Sequence, residues 1–155
     1  MPFYAGVTQD LLKRAPRPRP LDPALIEVLK EYQAALGNAR TIPDNAGVVI
    51  TGQQPGLLTG PLYTIYKAAT AVRLAAELES RHGVRYIPVF WVASADHDFD
   101  EVRTVHVLTK RHAIESHTYT PSSPVAGLPM YRVPVDASLH DIIDQMATST
   151  TGSEF

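Results

Sequence analysis

The sequence predicts an α/β fold organised on a parallel βαβ unit, and three observations carry that prediction. An apolar, β-branched run, Gly47–Ile50, leads into a glycine-rich stretch, TGQQPGLLTGP, from Thr51 to Pro61. A long amphipathic run follows from Leu62 to His82. A second apolar run, Tyr86–Ala93, comes after Gly83. Strand, helix, strand at this spacing makes a crossover, so the two strands run parallel and their carboxyl ends share one sheet edge. Ligands of open α/β sheets bind at that edge. The glycine-rich turn and the segment after Ala93 are therefore expected to face each other.

Each element has a local cause. Residues 1–21 are expected to form an extended arm, because Pro16, Pro18 and Pro20 alternate with Arg17 and Arg19 and disfavour a helix. The arm is read as solvated or as a subunit contact. Residues 22–155 form the domain proper. Asp22 is placed to cap a helix with Pro23 at its first position, Leu25, Ile26, Leu29, Tyr32 and Leu36 repeat at helical spacing, and Gly37 stops it. Gly47–Thr51 suits a buried strand. The helix from Leu62 carries a broad stripe of Ile65, Ala68, Ala69, Val72, Leu74, Ala75 and Leu78, and Gly83 ends it. The near-continuous apolar run Tyr86–Ala93 is the pattern of a central strand covered on both faces, with Pro88 at its start or at a bulge.

Residues 102–135 alternate in three short runs, Val102–Val107, His112–Thr118 and Tyr131–Val135, which predicts an antiparallel β insertion with a loop at 121–129. His106, His112 and His117 match no standard metal spacing and are assigned to the surface or an interface. Asp136 opens a last helix through Ile142, Ile143 and Met146, and the tail from Thr148 carries no visible element.

Composition narrows the function classes. A net charge of −2 gives no global field toward nucleic acid or membrane surfaces. The absence of cysteine excludes disulfides, a thiol nucleophile and thiolate metal sites within this sequence. No apolar run is long enough to span a bilayer and no signal-peptide core is visible, so a cytoplasmic location is the expectation.

Two stretches carry chemistry. In the first, Gly52, Gly56 and Gly60 permit unusual backbone angles, while Thr51, Gln53, Gln54 and Thr59 supply polar side chains. Pro61 suits the first helical position, so the turn is expected to end at a helix N-terminus whose N–H groups attract phosphate or carboxylate. Lys67, within two turns, is placed to reach an anion there; the plainer alternative is a solvated lysine. The second stretch is Asp96-His97-Asp98-Phe99-Asp100-Glu101. Flanking carboxylates can hold His97 in one tautomer with a raised pKa, as a general base or as a cation against phosphate. Alternatively, Asp96 and Asp98 hold Mg²⁺ against a nucleotide. In the plainest alternative, the acidic loop caps a short helix at Asp98 or Asp100.

The runs VVITGQQPGLLTGPLYTIYKA and PVFWVASADHDFDEV, in this order and at this separation, resemble the bacillithiol biosynthesis enzymes of the BshC family, the cysteine-adding ligases. The resemblance is clearest over residues 47–107, with FYAG near the start compatible. It implies a Rossmann-like core related to class I aminoacyl-tRNA synthetases, a helical coiled-coil domain, and homodimers. It implies the last step of bacillithiol synthesis, in which cysteine is joined to glucosaminyl malate. It places Gln53, Gln54, Thr59 and Gly60 as ligand contacts and Asp96, His97 and Asp98 as pocket residues, without settling which does the chemistry. Gly56 and Lys67 complete the anion-binding candidates, His97, Asp96 and Asp98 are the catalytic candidates, and no metal ligand is assigned. ATP with Mg²⁺ is implied by the reaction type. The family usually has an acidic residue where this chain has Ala95. Family members are also several times longer, so the chain is expected to be an N-terminal piece holding an incomplete domain, inactive alone.

Two other functions fit the same residues. One is a Mg²⁺-dependent phosphohydrolase or nucleotidyltransferase using Asp96, Asp98 and Asp100. The other is a non-catalytic nucleotide- or anion-binding module.

Overall fold

The structure is a computed structural model and describes residues 12–13 and 18–150. Pro16 and Arg17 of the arm and the FYAG stretch lie outside the described residues. Secondary structure runs β1 (Arg19–Pro20), α1 (Pro23–Ala35), β2 (Asn45–Gln53), a 3₁₀ turn (Leu57–Thr59), α2 (Leu62–His82), β3 (Tyr86–Val92), α3 (Phe99–Val102), β4 (Thr104–Leu108), β5 (Ile114–Thr118), a second 3₁₀ turn (Met130–Arg132) and α4 (Ser138–Ser149). Contacts divide the chain into two compact units. One runs up to Thr51 and includes Lys67–Phe90; the other holds Gly52–Tyr66 and the residues from Trp91 on.

In the first unit, β1 pairs antiparallel with the start of β2, Arg19 opposite Ala46 and Pro20 opposite Asn45. Arg19 and Pro20 are thus extended and exposed but paired to a sheet, whereas Leu12 and Lys13 are helical and Leu12 is buried in the core, against the expectation of an extended arm there. The Asp22 carboxylate accepts the Ala24 N–H at 2.8 Å and starts α1 over Pro23. Gly37, at φ 70°, follows the helix end. Ile26 is the buried residue of α1, whereas Leu25, Tyr32 and Leu36 are exposed. Leu12, Ala75, Leu78 and Tyr86 form the core cluster, with Val49 and Leu74 against it. Gly47 lets β2 pass beneath the Tyr86 ring, since a Cβ there would lie 2.3 Å from Cε1. Gly83 ends α2 at φ 66°, its N–H donating to the Glu79 carbonyl.

The strand order is β1–β2–β3, with β2 and β3 parallel, so the βαβ unit is present. Two expectations about burial fail. Among the described strands β3 is an edge, not a central strand, and Trp91 is 66% exposed. Pro88 sits third in β3 without a bulge, tolerated because an edge strand has one side with no ladder to donate to. In β2, Ile50 is 69% exposed. The α2 stripe is also narrower than its apolar residues suggest. Ala71, Ala75 and Leu78 are buried, while Ile65, Ala69 and Val72 face outward.

In the second unit, β4 and β5 form an antiparallel hairpin, with Val105 opposite His117 and His106 opposite Ser116. His112 lies in the connecting turn at φ 58°, so β5 begins two residues later than the alternation suggests. Residues 131–135 are not a third strand. Pro129 and Pro134 bracket a 3₁₀ turn, and the Met130 and Tyr131 N–H groups donate to the carbonyls of Asp96 and Ser94 at 2.8 and 3.1 Å. α4 begins at Ser138, two residues after Asp136. It continues to Ser149, after which Thr150 bridges to Thr109, so the start of the tail is structured. Tyr119 and Ile142 are buried here, and Phe99 meets Tyr119 edge to face at 6.3 Å.

Candidate functional site

The two chemistry-bearing stretches meet within the second unit. β2 ends at Gln53, whose carbonyl accepts the Ala93 N–H at 3.0 Å just past β3. The parallel strands come close here, because a Cβ on Gly52 would lie 2.5 Å from the Trp91 carbonyl oxygen. Gly56 serves a second close approach, its missing Cβ falling 2.7 Å from the Cα of Gly60. Only Gly60 of these three glycines has a left-handed φ, 72°. The other left-handed angles of the turn belong to Leu58 (49°) and Thr59 (79°), side chains that pay a conformational cost to hold it. β4 lies against this turn.

Pro61 precedes α2 by one residue and does not occupy its first position; its carbonyl accepts the Thr64 N–H at 2.9 Å. The first turn of α2 holds no acidic residue, so no carboxylate of that turn competes for an incoming anion. Lys67 is half-buried and belongs to the first unit's part of α2. Thr59 and Gln54 are exposed, and Gln53 donates through Nε2 to the Tyr63 hydroxyl at 2.9 Å and to Gln54 Oε1 at 3.3 Å.

Asp96 is the hub on the other side. Its Oδ2 accepts Gln54 Nε2 at 3.1 Å, joining residues 42 positions apart. Its Oδ1 accepts the N–H groups of His97 (2.7 Å) and Asp98 (3.3 Å). The Gln54 hydrogen bond first, then the two backbone N–H groups, hold its carboxyl below the usual carboxylate range. Asp96 is therefore an ionised acceptor that shapes the loop.

His97 and Asp98 point to a neighbouring cleft of about 530 Å³, lined also by Phe99, Arg103 and the Ser/Pro-rich loop 120–127. Asp98 caps α3, its Oδ1 accepting the Glu101 N–H at 3.3 Å, as the plainest reading of the acidic stretch anticipates. Asp100 pairs with Arg103 at 2.9 Å. Among the described residues the His97 imidazole has no hydrogen-bond partner, so it is not held between the flanking carboxylates. Nor do three His, Asp or Glu side chains come together there as a metal cage. The acidic run thus splits: Asp96 faces Gln54, and His97 and Asp98 face Arg103 and the 120–127 loop.

Several contributors escape a sequence reading. Arg103, whose guanidinium lies 6.0 Å from the centre of the Phe99 ring, is the cation of the cleft. Asp136 fixes the far loop. Its Oδ2 accepts the Ser122 N–H (2.8 Å) and hydroxyl (2.7 Å), and its Oδ1 accepts those of Ser138 (3.0 and 2.7 Å). The Tyr119 hydroxyl accepts the Asp136 N–H and donates to the Pro134 carbonyl, both at 3.0 Å. The pattern Asp-x-Ser ahead of an amphipathic run was the available signal for Asp136. Nothing local in the sequence marks Tyr119 or Arg103.

Comparison with known proteins agrees with the Rossmann-like fold. Residues 6–155 match a family model described as the N-terminal Rossmann-like domain of BshC, of bacillithiol biosynthesis. A protein of Symbiobacterium thermophilum is 39% identical over 144 residues, covering 85% of this chain and 25% of the relative. One from Geobacillus thermodenitrificans is 40% identical over 114 residues, 71% of this chain and 21% of the relative. One from Heliobacterium modesticaldum is 55% identical over 75 residues, 48% and 14%. All three bear the name "Putative cysteine ligase BshC". The chain spans a quarter or less of the length of these curated relatives.

Proposed function

The chain belongs to the BshC family, matching its N-terminal Rossmann-like domain, and from that premise we propose that it supplies the substrate-activating rim of a cysteine ligase. The whole reaction joins the cysteine amine or carboxyl to its partner, glucosaminyl malate, as an amide, and amide formation needs an activated carboxylate. ATP supplies that activation, by adenylation or phosphorylation. The observation that carries the reading is the 3.1 Å hydrogen bond from Gln54 to Asp96, which joins the glycine turn to the acidic loop at the carboxyl ends of parallel strands.

The residues fit phosphate better than a caged cation. The close Gly56–Gly60 approach fixes the shape of the turn, and α2 begins after it without an acidic residue. Gln53, Gln54, Thr59 and Gly60 then contact the anionic ligand. Asp96, Asp98 and Asp100 are each engaged in separate contacts, so a trio of Mg²⁺ ligands is not assembled among them. This argues against the phosphohydrolase alternative; Mg²⁺ in the ligase reading arrives with the phosphates. His97, with a free ring at the mouth of the cleft, offsets charge on the departing phosphate or accepts the proton of the attacking amine. Asp96 acts as a positioning residue and Asp98 holds α3 in place beneath His97. The reaction is cytoplasmic, and the active protein is a homodimer.

ATP binding to the purified chain, followed by calorimetry, separates this reading from its rivals. Saturable binding weakened about tenfold or more by Gly56→Ala, the loss of about one charge-assisted hydrogen bond, is expected. In the gene product that carries this chain, His97→Ala is expected to lower formation of the cysteine amide without abolishing ATP binding. Normal turnover by that variant refutes the role given to His97. Binding without turnover in every form favours a non-catalytic module.

A further inference from the structure

One wall of the His97 cleft is the loop 120–127, which belongs to no helix or strand. Two ties set its shape. Past one end, the Met130 N–H donates to the Asp96 carbonyl at 2.8 Å and fastens the chain to the acidic stretch. Near the other end, the tie is a side chain 14 positions away. Asp136 Oδ2 accepts the Ser122 N–H at 2.8 Å and the Ser122 hydroxyl at 2.7 Å. Between the ties the chain turns, with the Leu128 N–H on the Val125 carbonyl at 3.0 Å and Gly127 at φ 71°. Ser123, Pro124, Ala126 and Gly127 are exposed, and a Cβ on Gly127 would meet nothing within 4 Å. A tip with so little packing takes its position from its ties. Pro121 and Pro124, with fixed φ on either side of Ser122, carry the orientation of that residue along the loop.

Asp136 is itself braced. Its Oδ1 accepts the Ser138 N–H and hydroxyl at 3.0 and 2.7 Å, and its own N–H donates to the Tyr119 hydroxyl at 3.0 Å. The Tyr119 ring is buried and meets Phe99, the residue after Asp98, edge to face. Contacts therefore run from the acidic stretch through Phe99 and Tyr119 to Asp136, and through Ser122 to the loop on the other side of the cleft. The hydroxyl and N–H donors of the two serines hold the Asp136 carboxyl ionised, so the tie to Ser122 is charge-assisted.

Plainer roles leave part of this unexplained. Asp136 does not line the cleft and both its oxygens are occupied, so it is not a ligand contact there. The Ser138 bonds serve the start of α4, but the Ser122 bonds add nothing to that helix. We propose that Asp136 is a positioning residue of the candidate active site: through Ser122 it holds the 120–127 loop at the distance from His97 and Arg103 at which a substrate is bound. The clamp rests on its own geometry, and the substrate it serves rests on the ligase reading. Its effect falls on binding and not on the chemical step, because His97 lies on the acidic stretch, which is tied separately through Asp96.

Ser122→Ala and Ser138→Ala each take one hydroxyl from the same carboxylate, so they separate the wall from the helix. Backbone amide relaxation by NMR on the full chain should show residues 123–127 loosened in Ser122→Ala and as in wild type in Ser138→Ala. Asp136→Ala should loosen them further; if that variant does not fold, Ser122→Ala carries the test. In the gene product that carries this chain, Ser122→Ala should raise the KM of at least one substrate about fivefold or more with kcat within about twofold of wild type. Ser122→Thr, which restores a hydroxyl, should recover the KM, and Ser138→Ala should leave it unchanged. Equal loop relaxation in Ser122→Ala and wild type overturns the clamp. A loosened loop with unchanged KM, or a fall in kcat alone, overturns the positioning role. A wild-type gene product without ligase turnover sinks the ligase reading and this role with it, and the loop measurement tells that outcome apart from failure of the clamp.

Discussion

Replacing Gly52 with alanine tests the close strand approach beneath the candidate site. The new Cβ would lie 2.5 Å from the Trp91 carbonyl oxygen and 3.0 Å from the Trp91 Cβ, whereas ordinary contact begins near 3.4 Å. Trp91 must therefore retreat by about 0.9 Å, and backbone cannot swing aside as a side chain can. Overpacking of this kind costs about 1–3 kcal/mol. The retreat also stretches the Ala93-to-Gln53 hydrogen bond from 3.0 Å, adding about 1 kcal/mol. The expected loss is about 2–4 kcal/mol. Trp91 is the sole tryptophan, so its fluorescence during urea unfolding reads the transition at the altered contact. Gly83→Ala is the comparison: its φ is 66° but nothing lies within 4 Å, so only backbone strain of about 1–2 kcal/mol applies. A Gly52→Ala loss within about 0.5 kcal/mol, the range of ordinary surface changes, refutes the close approach.

Three further outcomes follow from the packing. Tyr119→Phe leaves the Pro134 carbonyl and the Asp136 N–H without their buried partner and should cost about 1–3 kcal/mol by chemical denaturation. Leu78→Ala empties part of the core cluster and should cost about 2–4 kcal/mol, while Val72→Ala on the outward face of the same helix stays near wild type. The Ser138 hydroxyl, then Ser122 and the Ser138 N–H, hold the Asp136 carboxyl far below the ordinary carboxylate range. Because the folded-state pKa is depressed, this stabilisation is complete above about pH 4 and fades as pH falls toward the folded-state value. Thermal melts should therefore separate wild type from Asp136→Asn most widely above about pH 4, with the gap closing in stronger acid.

Local chemistry was readable from the sequence where one residue type had one reason to be there. Asp22 before Pro23, Gly37 and Gly83 as helix stops, and the strand–turn–helix–strand order all stand in the structure. So does the meeting of the two loops, because parallel strands bring their carboxyl ends to one edge. Burial was less readable. Ile50, Val72 and Trp91 are as apolar as core residues, yet exposure depends on which neighbours cover a face, and composition does not record that. Residues 131–135 alternate like a strand, but their N–H groups are taken by the Ser94 and Asp96 carbonyls and prolines flank them. A His97 clasped by its sequence neighbours is one of the three readings the sequence leaves open. Asp96 instead spends its oxygens on Gln54 and backbone N–H groups, and Asp98 caps a helix. His117, which the sequence assigns to the surface or an interface, has a side chain only 10% exposed, because the element that covers it is distant in sequence.

The meeting of the glycine turn and the acidic loop rests on Gln54 and Asp96, and an NMR titration of the Asp96 carboxyl carbon reads it directly. In the wild-type chain Asp96 should titrate below the ordinary aspartate value, and Gln54→Ala should move it upward, since that hydrogen bond is the largest cause of the depression. An Asp96 that titrates identically in the two proteins would mean that the loops do not touch.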